Sequence, residues 1–387
     1  GGTNIGMGHV VRCLALAHMI REYFDVVFIL QETDTTIYEW IEKNGFSYLT
    51  IARSDDEKED ASLLIKVLDK TAEPGSIVVL DGYHIQTLHQ QRLKENGYRI
   101  VAIDDLHAWH QKADAILNHA PGIDESAYET ETPVRFMLGS NYALLRPALL
   151  LAAKQKRSIR PVKNFLISMG AADANNFTLF FADIIRIHFP EAHVHLLVSS
   201  INPNLEELHA LANGASENFS LHLNLSTEEL TERLMETDVV ICPASTISME
   251  ACAAGCTLVT GYTADNQRGI LAGLTKAEAC FSLHEFAVLD SKQAGTQLLT
   301  WLSDDSLRMK QLQQQRLLID GKSGSRIALA FLEIAQSISV RKADTHDTKL
   351  YFQWANDAEV RANSFQTAPI EWNHHVQWFA SSIESTT

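Results

Sequence analysis

Several kinds of chemistry are missing from this sequence of 387 residues. Cysteine is scarce, and the five present (Cys13, Cys242, Cys252, Cys256, Cys280) are not spaced as zinc ligands. Cys252 and Cys256 lie one helical turn apart with no histidine beside them. An odd number of cysteines in apolar surroundings reads as reduced, buried thiols of a cytoplasmic protein. Basic charge is short as well. Lys and Arg number 32 against 48 Asp and Glu, and the formal net charge of -16 excludes a nucleic-acid surface built on clustered cations. No apolar run approaches about 18 residues and no signal-peptide pattern is present, so neither a membrane span nor secretion is expected. Asp-x-Asp is absent, which removes the usual carboxylate pair for a magnesium-held nucleotide diphosphate. So is the P-loop pattern Gly-x-x-x-x-Gly-Lys-Ser/Thr. The histidines are scattered, and nothing in these patterns calls for a metal or a cofactor.

What is present is the material of a folded protein. An apolar fraction of 46% and a charged fraction of 21% suit a sizeable core, and the length fits two domains and a remnant. In the first 150 or so residues, apolar β-branched runs at 26–30, 48–51, 77–80 and 100–103, with a weaker one at 115–117, alternate with helical patterns at 37–44, 60–70 and 85–96. A basic segment ending at Pro161 breaks this rhythm, which then restarts. Strands are expected at 165–170, 194–198, 221–223, 239–241 and 258–259, and helices at 177–188, 227–236, 306–318 and 325–337. The pattern predicts an α/β protein with two Rossmann-like, doubly wound domains, 1–157 and 158–337, and a ligand cleft between them. The last two helices are expected to close the second domain. Residues 338–387 are polar and aromatic and read as the start of something else.

The opening segment, Gly1-Gly2-Thr3-Asn4-Ile5-Gly6-Met7-Gly8-His9, runs straight into a helix. Glycines let a backbone approach a ligand closely, and free amides with the helix dipole make a helix start an anion site. The loop therefore reads as a phosphate cradle beside a titratable His9, or as a strand-to-helix turn with a capping histidine. Such loops usually follow a strand, so a short first strand is expected to be missing here. Ser245 and Thr246 follow a strand and open a helix, where they cap it or contact an anion. Glu250, one turn on, is placed to accept two ribose hydroxyls or to interact with the helix dipole. Asp81-Gly82-Tyr83-His84 stands at the carboxyl end of a buried strand, the edge where such sheets bind ligands, with a core tyrosine as the competing reading. Asp104-Asp105 reads as a turn or helix start. Residues 139–146 serve either linker packing or the substrate, and 261–268 form a polar loop.

Taken in order, these segments resemble the UDP-sugar hydrolases of pseudaminic acid synthesis. The resemblance rests on Gly6-Met7-Gly8-His9 with Arg12 and Leu16-Ala17, on Asp81-Gly82-Tyr83, and on Gly139 with Tyr142 and Leu145-Arg146. It continues through Ser168-Met169-Gly170-Ala171-Ala172-Asp173, residues 245–250 and Asn266-Gln267, and spans roughly residues 1–337. Gly82 departs from the histidine expected in many relatives. The resemblance implies a GT-B fold and metal-independent hydrolysis of a UDP-linked diacetamido-trideoxy sugar by anomeric C–O cleavage with inversion. It implies His9 as the general base and Tyr83 as its catalytic companion, with His9 kept neutral by the start of its own helix. Substrate binding falls to Gly6, Gly8, Arg12, Tyr142, Arg146, Gly170, Ser245, Thr246, Glu250, Asn266 and Gln267.

The tail resembles the opening of a GNAT-type acetyltransferase, through Trp354, Asn356-Asp357, Val360-Arg361, Ser364-Phe365, Ile370, His374 and Trp378-Phe379. The chain stops before the acetyl-CoA loop of that family. No acetyl transfer and a poorly ordered tail are therefore expected, with a fused pathway acetyltransferase in a longer parent. The UDP-sugar is the expected partner; nucleic acid and membrane are not. The rival readings are a GT-B glycosyltransferase with a UDP-sugar donor and a non-catalytic UDP-sugar-binding module. An NAD-dependent oxidoreductase is disfavoured, since no acidic residue ends the second strand in the usual way.

Overall fold

The computed structural model describes residues 8–336 and 343–384, apart from 32, 34, 53, 55, 74, 131, 132, 171, 172 and 215–217. Contacts divide the chain after Gln336 into two compact units. The larger contains two α/β lobes. The first opens with α1 (Gly8–Ile20), β1 (Val27–Gln31), α2 (Thr35–Lys43), β2 (Ser47–Ile51), α3 (Glu57–Thr71) and β3 (Ile77–Leu80). It continues through α4 (Thr87–Glu95), β4 (Arg99–Ile103), β5 (Ala115–Asn118) and β6 (Arg135–Leu138) to α5 (Pro147–Ala153). Strands β3, β4, β5 and β6 pair in that order, all parallel, while β1 and β2 form a separate parallel pair. Among the described residues, β1 and β3 each pair on one side only. Every residue of β5 is buried, as expected for a parallel strand covered on both faces.

The second lobe runs β7 (Asn164–Ile167), α6 (Phe177–His188), β8 (His193–Val198), α7 (Leu205–Ala212), β9 (Phe219–Leu223) and α8 (Thr227–Glu236). It goes on with β10 (Val239–Pro243), α9 (Thr246–Ala254), β11 (Thr257–Tyr262), α10 (Arg268–Lys276), β12 (Phe281–Glu285), α11 (Ser291–Leu302) and α12 (Asp305–Leu318). Its six parallel strands lie in the order β12-β11-β10-β7-β8-β9. This is the doubly wound Rossmann order, and the winding reverses between β7 and β10. Helix starts are fixed by local chemistry. Ser226 and Glu229 form a reciprocal capping box on α8, and the carboxylates of Asp290 and Asp304 accept amides at the starts of α11 and α12. The basic linker has a structural use. Arg157 donates to the carbonyls of Ala254, Leu234 and Thr237, and Arg316 to that of Ala253 at 3.0 Å. Guanidinium groups thus satisfy the unpaired carbonyls at the carboxyl ends of α8 and α9, where the helix dipole also favours a cation.

One buried cluster crosses the lobe junction. It joins Ala143, Leu145 and Leu149 of the first lobe to Leu271, Leu274 and Met249 of the second. Gly273 on α10 lies against Pro121, and a Cβ there would overlap the Pro121 carbonyl oxygen. The helix α13 (Ser323–Gln336) departs from the expectation that it closes the second lobe. Its Ile327, Ala330 and Phe331 pack with Ala15, Leu16 and Ile20 of α1, so the chain crosses back and covers the first lobe.

The smaller unit carries α14 (Thr348–Ala355), α15 (Ala358–Ala362) and α16 (Trp372–Glu384), in place of the poorly ordered tail expected. His375 and Phe379 are buried between α14 and α16, and the His375 ring nitrogen Nε2 lies 3.0 Å from the Thr348 carbonyl. Asn356 clamps the loop before α16, exchanging two hydrogen bonds with the Ile370 backbone.

Two expectations follow. Gly273→Ala forces α10 away from Pro121 and should lower stability by about 1–3 kcal/mol or more, the usual cost of overpacking, as read from urea denaturation. An unchanged midpoint contradicts the junction described. The second concerns acid. His195 on β8 and His222 on β9 meet across the sheet with Nδ1 and Nε2 3.0 Å apart. Burial, then the Arg233 charge, pushes His195 from 6.5 down to about 3, and burial lowers His222 as well. The unfolded chain therefore takes up protons that the folded one refuses. Stability is complete above about 6.5 and falls as the pH drops toward the folded value. His195→Leu should flatten the fall of the thermal midpoint between about pH 6.5 and 4; the same slope in the variant would contradict the assignment.

Candidate active site

The carboxyl end of β3 delivers Asp81 to the start of α1, and the site is built around that carboxylate. His9 Nδ1 lies 2.6 Å from Asp81 Oδ1. Arg12, one turn further along α1, donates through Nε to Oδ2 at 2.8 Å and through Nη2 to Oδ1 at 2.5 Å. Cys13 Sγ adds a thiol contact to Oδ2 at 3.2 Å. The carboxyl end of β4 contributes Asp105, whose Oδ2 accepts from Arg12 Nη1 at 2.8 Å. Asp81 and Arg12 are both buried. Burial opposes ionisation of Asp81, but the Arg12 and His9 hydrogen bonds outweigh it and hold the carboxyl well below the usual range. Burial likewise works against the Arg12 charge, and the two aspartates outweigh it and raise its pKa.

An ionised carboxylate only accepts hydrogen bonds, so the 2.6 Å contact assigns the proton to Nδ1 of His9; Arg12 Nη2, 3.1 Å from the same nitrogen, directs its hydrogen bond to Asp81 Oδ1 at 2.5 Å instead. Nε2, the other ring nitrogen, makes no hydrogen bond with the described residues. Tyr83, two residues past β3, meets the His9 ring edge-on with centroids 4.9 Å apart. Its hydroxyl lies 3.5 Å from Asp105 Oδ2 and accepts from Asn266 Nδ2 of the second lobe at 3.1 Å. Burial, then the Asp105 charge, raises the Tyr83 pKa. His119, just past β5, is buried and accepts the Leu144 amide on Nδ1 at 3.2 Å. Burial, then the Arg12 charge, pushes it down to about 4.

The second group of residues lies at the start of α9, beside the point where the Rossmann winding reverses. Ser245 precedes the helix, and its hydroxyl makes no cap hydrogen bond. Its carbonyl instead accepts from Ser248 through both amide and hydroxyl. The hydroxyl is thus not spent on its own helix. Glu250 is fully buried, and Arg146 Nε approaches its Oε1 at 3.1 Å without hydrogen-bond alignment. Oε1 of Glu250 and Nη1 of Arg146 are both buried and lack hydrogen-bond partners among the described residues. Burial raises the Glu250 pKa, with Arg146 pulling the other way.

No known family profile matches this chain. An uncharacterized protein of Methanocaldococcus jannaschii is 20% identical over 401 aligned positions, covering 98% of this chain and 76% of the relative. Among solved structures, MurG of Acinetobacter baumannii superposes with a TM-score of 0.59 at 14% identity, covering 86% of this chain and 98% of that one. A UDP complex of MnaA from Staphylococcus aureus gives 0.59 at 10% identity, covering 88% and 97%. The fold is GT-B.

In this GT-B frame His9, Tyr83 and Asn266 converge, the last from the opposite lobe. Arg146 reaches Glu250, while Ser245 and Thr246 stand at the start of the same helix. Gly8 is the exposed first residue of α1. Gly6 lies outside the described residues. Three predicted binding residues have other engagements or positions. Arg12 is turned to Asp81 and Asp105, so all its nitrogens are engaged by the protein. Tyr142 packs against the core formed by Met137, Leu144 and Phe331, as the linker-packing alternative has it. Gln267 Oε1 accepts the Thr263 amide at 2.7 Å and steadies its own loop. Gly170 is exposed beyond β7 with φ of 87°, a conformation that favours glycine.

The sequence places His9 at a helix start with Tyr83 as its companion; the structure adds Asp81, held in turn by Arg12, as the partner of its ring. Asp81 stood in a segment singled out for its place at a strand end, and the spacing to Tyr83 was the available signal. Asp104 does form the turn expected, accepting the Leu106 and His107 amides, but Asp105 belongs to the site. Removing one partner of a buried ion pair leaves the other uncompensated. Asp81→Ala is expected to cost about 3–5 kcal/mol in urea denaturation; a loss below about 1 kcal/mol would contradict the central place given to this carboxylate.

Proposed function

We propose that the protein is a UDP-sugar enzyme, and specifically a hydrolase that cleaves the anomeric C–O bond of a UDP-linked diacetamido-trideoxy sugar. Water attacks with inversion, and UDP and the free sugar are released. The observation that carries this reading is the 2.6 Å contact between His9 and Asp81, with Nε2 of His9 making no hydrogen bond among the described residues. A histidine fixed through Nδ1 by a carboxylate presents a lone pair on Nε2, the arrangement of a general base. Tyr83 and Asn266 meet beside it from the two lobes, where a bound sugar is orientated.

The second lobe supplies the leaving-group side. The UDP-bound neighbour shares this fold, which supports placing the nucleotide at the carboxyl ends of β7 and β10, where the winding reverses. The amides at the start of α9, with the uncommitted Ser245 hydroxyl, stabilise the diphosphate as it takes up charge. Glu250 has a buried oxygen short of a donor, and ribose hydroxyls supply donors. In this mechanism His9 takes a proton from water on the face opposite the diphosphate, and the electron pair of the broken C–O bond leaves on UDP.

His9→Ala should lower turnover by at least about 10²-fold, the usual span of a general base, while calorimetry shows UDP binding retained. UDP release without any acceptor, with NMR of the freed sugar giving its anomeric configuration, separates a hydrolase from a transferase. Turnover near wild type in His9→Ala, or UDP released only when an acceptor is added, would contradict the proposal.

A further inference from the structure

His119 is a buried titratable group that the mechanism above leaves unused. It stands just past β5, close enough to Arg12, Asp105 and Asp81 for their charges to act on it. Its tautomer is fixed by the backbone. The Leu144 amide can only donate, so Nδ1, 3.2 Å away, accepts, and the ring proton lies on Nε2. A second proton would set two donors face to face. Burial, then the Arg12 charge, pushes the ring down to about 4 and keeps it neutral.

The amide it holds belongs to the segment that joins the lobes. Leu144 packs in the core of the first lobe, while Ala143 and Leu145 on either side belong to the cluster at the junction. A second buried side chain grips the same peptide. Ser323, at the start of α13, donates to the Ala143 carbonyl at 2.8 Å. That carbonyl and the Leu144 amide are the two sides of one planar peptide group, so His119 and Ser323 together fix its orientation.

Arg146 follows two residues on and crosses to the second lobe, where its Nε lies 3.1 Å from Oε1 of Glu250. Burial favours the neutral acid of Glu250, and the Arg146 charge opposes it. An ionised carboxylate offers both oxygens as acceptors, whereas a protonated one has turned one of them into a donor. With Arg146 displaced, Glu250 is a poorer acceptor for two ribose hydroxyls.

We propose that His119 is a positioning residue of the nucleotide site. By clamping the Ala143–Leu144 peptide it sets Arg146 against Glu250, and so determines from the first lobe how tightly the second holds the uridine nucleotide. The inference deepens the proposed function and rests on the assignment of Glu250 to the ribose.

Titration calorimetry with UDP tests it. His119→Leu keeps the bulk and removes the acceptor, which should weaken UDP about 10-fold, the scale of one lost buried hydrogen bond. His119→Asn puts Oδ1 where Nδ1 stands and should bring the affinity back to within about 3-fold of wild type. The deciding readout is a double-mutant cycle with Arg146→Ala. That variant binds UDP more weakly by itself, and adding His119→Leu should cost nothing further. A merely structural role for His119 would lower affinity equally in both backgrounds. Ser323→Ala releases the other side of the same peptide and should weaken UDP about 3-fold, again only while Arg146 is present. It decides the matter if His119→Leu does not fold, as thermal midpoints will show. Unchanged affinity in both clamp variants, equal losses with and without Arg146, or an asparagine variant as weak as the leucine one would overturn the inference. A wild-type protein that does not bind UDP would overturn the nucleotide site and this inference together. UDP binding without hydrolysis of the UDP-sugar would overturn the hydrolase reading alone.

Discussion

The buried carboxylate of Asp81 binds the start of α1 to the carboxyl end of β3, and the arrangement of the first lobe's titratable groups depends on it. It receives His9, Arg12 and Cys13, at i, i+3 and i+4 on one face of a single helix. Arg12 then passes the constraint to Asp105 at the end of β4, and Asp105 stands beside Tyr83. A chain of charge-assisted contacts thus sets the position of an imidazole, a phenol and a carboxylate from three separate elements. In a buried setting such contacts are strong only while every member is present.

The two lobes contribute different chemistry. The first supplies titratable groups; the second supplies a helix start, hydroxyls and a buried Arg146–Glu250 pair at the reversal of a Rossmann sheet. The junction between them is apolar, with Gly273 against Pro121, and Asn266 and Tyr83 hydrogen-bond across the gap. The return of α13 to the first lobe ties the two ends of the unit together, since its Phe331 packs in the same core as Leu16. Fold alone does not decide chemistry, because GT-B proteins share an architecture and differ in the groups placed at the gap. Here those groups are a carboxylate-held histidine and an uncommitted hydroxyl at a helix start.

Much of this was legible in the sequence. The helices Phe177–His188 and Thr227–Glu236 carry strong apolar periodicity between clear boundaries, and both occur with those bounds. The strand at 77–80 does too, because four consecutive apolar residues between polar turns admit little else. Strands β6 and β12 escaped: Arg135-Phe136-Met137-Leu138 and Phe281-Ser282-Leu283-His284-Glu285 mix charge or polarity into short runs. Periodicity showed α13 to be a helix but could not show which lobe its apolar face would meet. At the site, His9 and Tyr83 stand out in the sequence by their places after a glycine loop and a strand, and the structure brings their rings together. Asp105 does not, since an acidic pair after a strand reads as a turn; its ion pair with Arg12 appears only in the structure.

The most direct measurement of the central claim is the protonation pattern of the His9 ring, read from long-range 1H–15N NMR correlations in the uniformly labelled protein and assigned by the loss of one imidazole in His9→Ala. The account predicts a proton on Nδ1, directed at Asp81, with Nε2 unprotonated under the conditions of turnover. A ring protonated on Nε2 with Nδ1 bare would contradict it.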